Sequence, residues 1–196
     1  MQKVAIVTDG SADLPKDLVM KYDIQIAPFK VIVDGEIYKM QGNYGDLTPQ
    51  EFYNKLKNSK EYPTTAIPSP KDFDQAFKKG LQIAESVLAI VISEELSGTY
   101  QCALKVAEQF ENEDITILDS RVATSTLGVL VVEAAKKAQQ DASKEEIIDH
   151  LEKLIPKAQL VSVNDNVDAV YRSGRVGWVK KFLVDTFNVK PIIHFN

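Results

Sequence analysis

Cysteine and histidine are scarce in this sequence, and their scarcity excludes whole classes of chemistry. A single cysteine, Cys102, has no partner for an internal disulfide and fits a reducing compartment. It lies beside an apolar helical stripe and reads as a small buried hydrophobe. The two histidines, His150 and His194, have no metal-ligand spacing to each other or to Cys102, so no zinc site is expected. No run approaches the ~20 apolar residues that cross a bilayer, and Met1-Gln2-Lys3-Val4 enters a strand directly without the pattern of a signal peptide. The expectation is a cytoplasmic protein with no transmembrane segment. Basic residues are in deficit as well, since 23 Lys and Arg against 28 Asp and Glu leave a net charge of -5. A surface that follows nucleic-acid phosphates needs the opposite balance, so nucleic acid is not an expected partner. Nucleotide-binding glycine loops and the Gly-x-Ser-x-Gly elbow are also missing, which argues against a tightly held nucleotide and a hydrolase serine.

What is present is an ordinary globular composition, 44% hydrophobic and 26% charged over 196 residues, enough for one sizeable core or a core with part of a second. Strand-like and helix-like segments alternate. Residues 4–8 are a continuous apolar run, as in a strand buried on both faces of a parallel sheet. A short helix near 15–22 leads to an extended stretch over 24–33, closed by the turn Asp34-Gly35, after which Ile37 and Tyr38 return as a hairpin. Thr48-Pro49-Gln50-Glu51, Ser69-Pro70-Lys71-Asp72 and Ser143-Lys144-Glu145-Glu146 each have the grammar of a helix start. Between the first two lies the proline-bracketed segment 63–68, read as a loop. Strands over 87–92 and 115–118 are each followed by a helix, the second carrying Leu127, Leu130, Val131, Ala134, Ala135 and Ala138 on one face. Beyond Pro156 come a strand at 160–163, a short helix at 165–171, a turn at 172–177, a helix at 178–187 and a last strand at 191–195. The predicted fold is α/β, a parallel sheet flanked by helices, with residues 1–156 as its first domain and 157–196 as the start of a second, incomplete α/β domain.

Three strand exits carry hydroxyl or acidic residues: Thr8-Asp9-Gly10-Ser11, residues 93–99, and Asp119-Ser120. In an open parallel sheet these carboxyl ends share one edge, and ligands bind in the crevice outside them. Leu96-Ser97-Gly98-Thr99-Tyr100 is the most informative of the three, because a hydroxyl, a glycine and free N–H groups at a helix start suit an anion. Thr64 or Thr65 can join from the proline-rich segment. Arg172 and Arg175 flank a glycine turn from which a guanidinium can reach a carboxylate or phosphate, or pair with acids at a domain junction.

These residues resemble the DegV family of bacterial fatty-acid-binding proteins. The resemblance rests on Thr8 to Pro15, Thr65-Ala66-Ile67-Pro68-Ser69, Leu96 to Tyr100, Asp119-Ser120, Ser173-Gly174-Arg175-Val176-Gly177 and Asn188-Val189-Lys190-Pro191-Ile192, in the family's order. The sequence departs from it at Asp9-Gly10-Ser11, where Asp-Ser-Thr is usual, at Ala66-Ile67 within the usual Thr-Ser-Gln-Pro-Ser, and at Ser173 in place of a glycine. The family also continues past this point to complete a second domain, whose late histidine contacts the lipid.

The resemblance implies a carrier with no catalysis, cofactor or metal of its own. It holds one long-chain fatty acid such as palmitate, stearate or oleate and offers it to a separate fatty acid kinase that makes acyl phosphate for phospholipid synthesis. Hydroxyls matching Thr65 and Ser97 hold the carboxylate, with Ser11, Gly98, Ser120 and Arg175 as further candidate contacts. Two alternatives stand beside it. One is an enzyme acting on a small carboxylated or phosphorylated substrate, with Asp9 and Asp119 as its acid or base. The other is a shortened interaction module that no longer binds lipid.

Overall fold

The chain opens with β1 (Gln2–Asp9), in which Val4, Ala5, Ile6 and Val7 are all buried in the computed structural model. The structure describes residues 2–42, 44–163, 172 and 192–195. A strand with no exposed face must be covered on both sides. A 3-10 turn and α1 (Lys16–Tyr22) lead to β2 (Gln25–Ala27), parallel to β1. β3 (Phe29–Val33) and β4 (Glu36–Met40) then form an antiparallel hairpin. After α2 (Pro49–Asn58), β5 (Thr64–Ala66) pairs antiparallel with the other edge of β3. α3 (Pro70–Ile83) enters β6 (Ala84–Val91), α4 (Thr99–Ala107) precedes β7 (Ile115–Asp119), and α5 (Thr124–Ala138) is followed by α6 (Lys144–Leu154). β8 (Leu160–Val163) and β9 (Ile192–Phe195) make a separate antiparallel pair.

The central sheet has the order β2-β1-β6-β7 with every strand parallel, and helices cover both of its faces. Alternation along β1 and β6 divides their side chains between two cores. Ala5, Val7, Val87 and Ala89 meet Phe73 and Phe77 of α3 and Ala103 and Val106 of α4. Val4, Ile6, Leu88 and Ile90 meet Leu127, Leu130 and Val131 of α5 and Ile147 and Leu151 of α6. The helix face expected from sequence is therefore the one that is buried. All three expected helix starts are complete capping boxes, with Thr48, Ser69 and Ser143 each accepting the backbone N–H three residues on. In α5, Gly128 permits a close crossing, because a Cβ there would fall 2.4 Å from the Ala12 carbonyl oxygen.

Two segments differ from expectation. Residues 24–33 are not one strand but two, in different sheets. Ala27 is the last partner of β1, and Pro28 has no N–H to continue a ladder, so the chain leaves the parallel sheet there. The segment 63–68, expected as a loop, contains β5; its prolines flank a three-residue edge strand, where a missing donor costs little. The expected helices over 165–171 and 178–187 lie outside the described residues.

Candidate functional site

The order of the parallel sheet marks where a ligand fits. From β1 the chain moves to β2 on one side and later returns to β6 on the other, so the connections leaving β1 and β6 diverge. Such a switch point leaves a crevice at the carboxyl ends of the two strands. A cleft of about 350 Å³ lies there, walled by Asp9 and Ser11 from the β1 exit and by Ile92, Leu96, Ser97 and Thr99 from the β6 exit. Its opposite wall is the small sheet β4-β3-β5, which contributes Phe29, Thr65 and Ala66, with Ile67 just beyond β5. Thr65 stands opposite Val31 on β3, which places its side chain on the same face as Phe29.

Ser97 belongs to a tight turn closed by its own N–H donating to the Ser93 carbonyl at 3.1 Å. Its Oγ lies 2.8 Å from Thr99 Oγ1 and accepts the Thr99 N–H at 3.3 Å. Gly98 is the N-cap of α4, and the first intrahelical bond runs from Cys102 N–H to its carbonyl at 3.0 Å. The amides of Tyr100 and Gln101 precede that bond, so the start of α4 presents donors beside the Ser97 hydroxyl. Glycine at the N-cap leaves room as well, since a Cβ on Gly98 would only touch Ile67 Cδ1 at 3.9 Å.

Asp9 holds the two strand exits together. One carboxylate oxygen accepts the Ser11 N–H at 2.9 Å, and the other accepts the Ile92 N–H at 2.9 Å. The residue is 1% exposed. Burial pushes its carboxyl above the usual aspartate range, against the lowering effect of the Ser11 and Ile92 hydrogen bonds. Ser11 completes this wall with a hydroxyl oxygen that is buried and has no hydrogen-bond partner among the described residues. A buried hydroxyl without a partner gains from a ligand that supplies one.

The small sheet is fixed to the main body by charge and by shape. Asp72, at the start of α3, accepts from Lys39 Nζ at 2.7 Å and lies 3.5 Å from Lys30 Nζ. Burial opposes ionisation of Asp72, but the Lys39 and Ser69 hydrogen bonds outweigh it and hold the carboxyl at about 2. Gly10 lets β4 approach the β1 exit, because a Cβ there would fall 2.3 Å from the Met40 carbonyl oxygen and 2.9 Å from Phe29 Cδ1.

Of the residues singled out from sequence, the cleft unites Asp9, Ser11, Thr65 and Ser97. Ser120 is not part of it. This hydroxyl is fully buried in the β7 exit turn, where it donates to the Val122 carbonyl at 3.1 Å and accepts the Val122 N–H at 3.3 Å. Gly98 instead lines an adjoining cavity with Lys30, Gln101 and Lys105. Arg175 lies outside the described residues. Asp119, a candidate acid or base, accepts the Glu94 and Arg121 N–H groups in a turn and does not line the cleft. Cys102 is half-buried, its thiol pushed up mainly by burial. His150 approaches Glu133 at 3.7 Å, and no acidic, histidine or cysteine cluster among the described residues could hold a metal ion. Among the described residues no helix is long and apolar enough to cross a membrane. Sequence reasoning missed Phe29 and Ile67, whose apolar character carried no local signal of a cleft. Thr99 lay inside the recognised turn, where its alternate hydroxyl was a usable signal.

Similarity to known proteins runs along nearly the whole sequence. The DegV family model matches residues 3–196. The chain belongs to the DegV family. A DegV domain-containing protein of Caldanaerobacter subterraneus subsp. tengcongensis is 37% identical over 98% of this chain and 68% of its own length. Among solved structures, the fatty-acid-binding DegV protein of Thermus thermophilus superposes with a TM-score of 0.87 at 31% identity, covering 100% of this chain and 68% of that one. A stearic-acid-binding protein of Eubacterium ventriosum gives a TM-score of 0.86 at 27% identity, with coverage of 100% and 67%. This DegV chain thus has the parallel sheet flanked by helices of those structures.

Proposed function

We propose that this DegV protein binds a long-chain fatty acid, such as palmitate, stearate or oleate, with its carboxyl head group between Thr65 and Ser97. The observation that carries the reading is the switch-point cleft itself, which brings hydroxyls from two different sheets to one apolar-walled crevice. The fatty-acid binding of the Thermus thermophilus and Eubacterium ventriosum relatives supports the same ligand class. A buried carboxyl group is costly without partners, and hydroxyls beside a helix start supply them. Each hydrogen bond to a charged head group contributes about 1.5–3 kcal/mol. The tail contributes more, about 11 kcal/mol for fourteen methylenes at ~0.8 each, before the cost of association is subtracted.

The head group lies at the mouth of the sheet and not in its core, which suits a carrier that presents the carboxyl group to a second protein. We assign that role to a fatty acid kinase forming the acyl phosphate for phospholipid synthesis, with this chain supplying binding and orientation and no chemistry. Further contact by Arg175 belongs to the same proposal. Lipid extraction and native mass spectrometry of the purified protein test it. A bound C16 or C18 acid in near-stoichiometric amount is the expected result, and absence of such a lipid together with no oleate binding would overturn it.

A further inference from the structure

The Ser97 hydroxyl is held by one neighbour through two contacts. Its Oγ accepts the Thr99 N–H at 3.3 Å and lies 2.8 Å from Thr99 Oγ1, while the turn around it is fixed by the Leu96 and Ser97 amides, both donating to the Ser93 carbonyl at 3.1 Å. Thr99 is the first residue of α4 and is 2% exposed, so its side chain is set by the packing of the helix start and not by solvent. Both residues line the cleft. A hydroxyl has one proton to give and two lone pairs to fill. The 2.8 Å contact uses one of the pair's two hydroxyl protons and leaves the other. When Thr99 donates, the lone pairs of Ser97 Oγ are filled by the amide and the hydroxyl of Thr99, and the proton left over belongs to Ser97. Ser97 can then only donate. A carboxylate only accepts, so the two match, and a hydroxyl that already accepts is the stronger donor. The reverse direction turns a lone pair of Ser97 toward the head group and is disfavoured once a carboxylate arrives.

We infer that Thr99 is a positioning residue for head-group binding: its hydroxyl donates to Ser97 Oγ and leaves the Ser97 proton directed to the carboxylate of the ligand. The inference rests on the fatty-acid reading above and concerns the Ser97 arm of the site alone, whatever other groups meet the carboxylate. Thr99 acts through Ser97, so its hydroxyl matters only while the Ser97 hydroxyl is there. Valine keeps the branched shape of threonine and removes the hydroxyl. In Thr99→Val one lone pair of Ser97 Oγ is left open, the Ser97 proton has no fixed direction, and oleate affinity falls by about fivefold.

A double-mutant cycle read by calorimetric titration of oleate tests the assignment, on the parent, Thr99→Val, Thr99→Ser, Ser97→Ala and the Ser97→Ala Thr99→Val pair. The expected loss is about fivefold in Thr99→Val and about tenfold in Ser97→Ala, and the double variant binds within about twofold of Ser97→Ala. Thr99→Ser, which keeps the hydroxyl, regains most of the affinity lost in Thr99→Val. Losses that multiply to about fiftyfold in the double variant overturn the inference, because Thr99 then acts on the cleft independently of Ser97. Unchanged affinity in Thr99→Val, or a Thr99→Ser as weak as Thr99→Val, overturns it too. If Thr99→Val does not fold, Thr99→Ala takes its place in the same cycle. A Ser97→Ala variant that binds as the parent does also overturns it, since Thr99 then has nothing to act through. Failure of the parent to bind oleate instead overturns the fatty-acid reading itself.

Discussion

The two sheets that wall the cleft are built on different principles. The parallel sheet is buried from both sides, and its strands β1 and β6 are nearly continuous apolar runs. The small sheet has one modest core of Val31, Val33, Met40 and Leu47, and only Val31 and Val33 of β3 are buried. Ser97 extends from the first and Thr65 from the edge of the second. One hydroxyl therefore sits on a scaffold stabilised by a large apolar core. The other sits on a flap whose position depends on an ion-pair cluster and on the fit of a single glycine. Local opening costs least where few apolar contacts must break, so the small sheet is expected to open at a lower free energy than the parallel sheet.

Substitutions can break or sharpen that contrast. The largest expected effect is in the parallel sheet, where Leu88→Ala removes a fully buried side chain and costs about 2–5 kcal/mol, read as a lower denaturant midpoint. Gly10→Ala comes next. Its new methyl group meets the Met40 carbonyl, and the overpacking costs about 1–3 kcal/mol. Because this strain falls at the contact between flap and sheet, oleate affinity measured by calorimetry should fall further than for Leu88→Ala. Equal losses in both variants would mean that the flap has no separate role.

Asp72→Asn has a smaller effect, about 1–2 kcal/mol after solvent screening of the half-exposed Lys39. The pH dependence of this effect is specific. The carboxyl of Asp72 is lowered from 3.8 to about 2, so its stabilising contribution is complete above pH 4 and is lost as pH falls toward 2. Acid melting curves of the parent and Asp72→Asn should converge there. The smallest effect on stability is expected from Ser97→Ala and Thr65→Ala, each within about 1 kcal/mol of the parent while weakening oleate binding by about tenfold. Unchanged affinity in both would place the head group elsewhere.

Much of the framework was legible in the residues. Thr48, Ser69 and Ser143 announced their helices because a capping box closes within one turn and needs no distant partner. Residues 4–7 announced a doubly covered strand because every position is apolar. The site was legible only in part. Ser97 stood out through its glycine turn, and Thr65 through the motif it shares with the family. Ser120 had the same appearance at a third strand exit, yet its hydroxyl closes a turn on Val122, and nothing local distinguishes the two outcomes.

The sequence by itself determined where the capped helices and the buried strands of the parallel sheet lie and which hydroxyls were available, since caps, periodicity and turns act over a few residues. Tertiary structure alone decided that Pro28 divides one apolar stretch between two sheets, that Thr65 and Ser97 line one cleft, and that Asp9 is buried where the β1 and β6 exits meet. Asp9 reaches Ile92 across 83 positions of sequence, and that contact exists only because β1 and β6 lie side by side. The reason is physical. A parallel neighbour is chosen by burial of whole faces at long range, and the cleft, with the charge balance inside it, is what that packing leaves open at the strand ends.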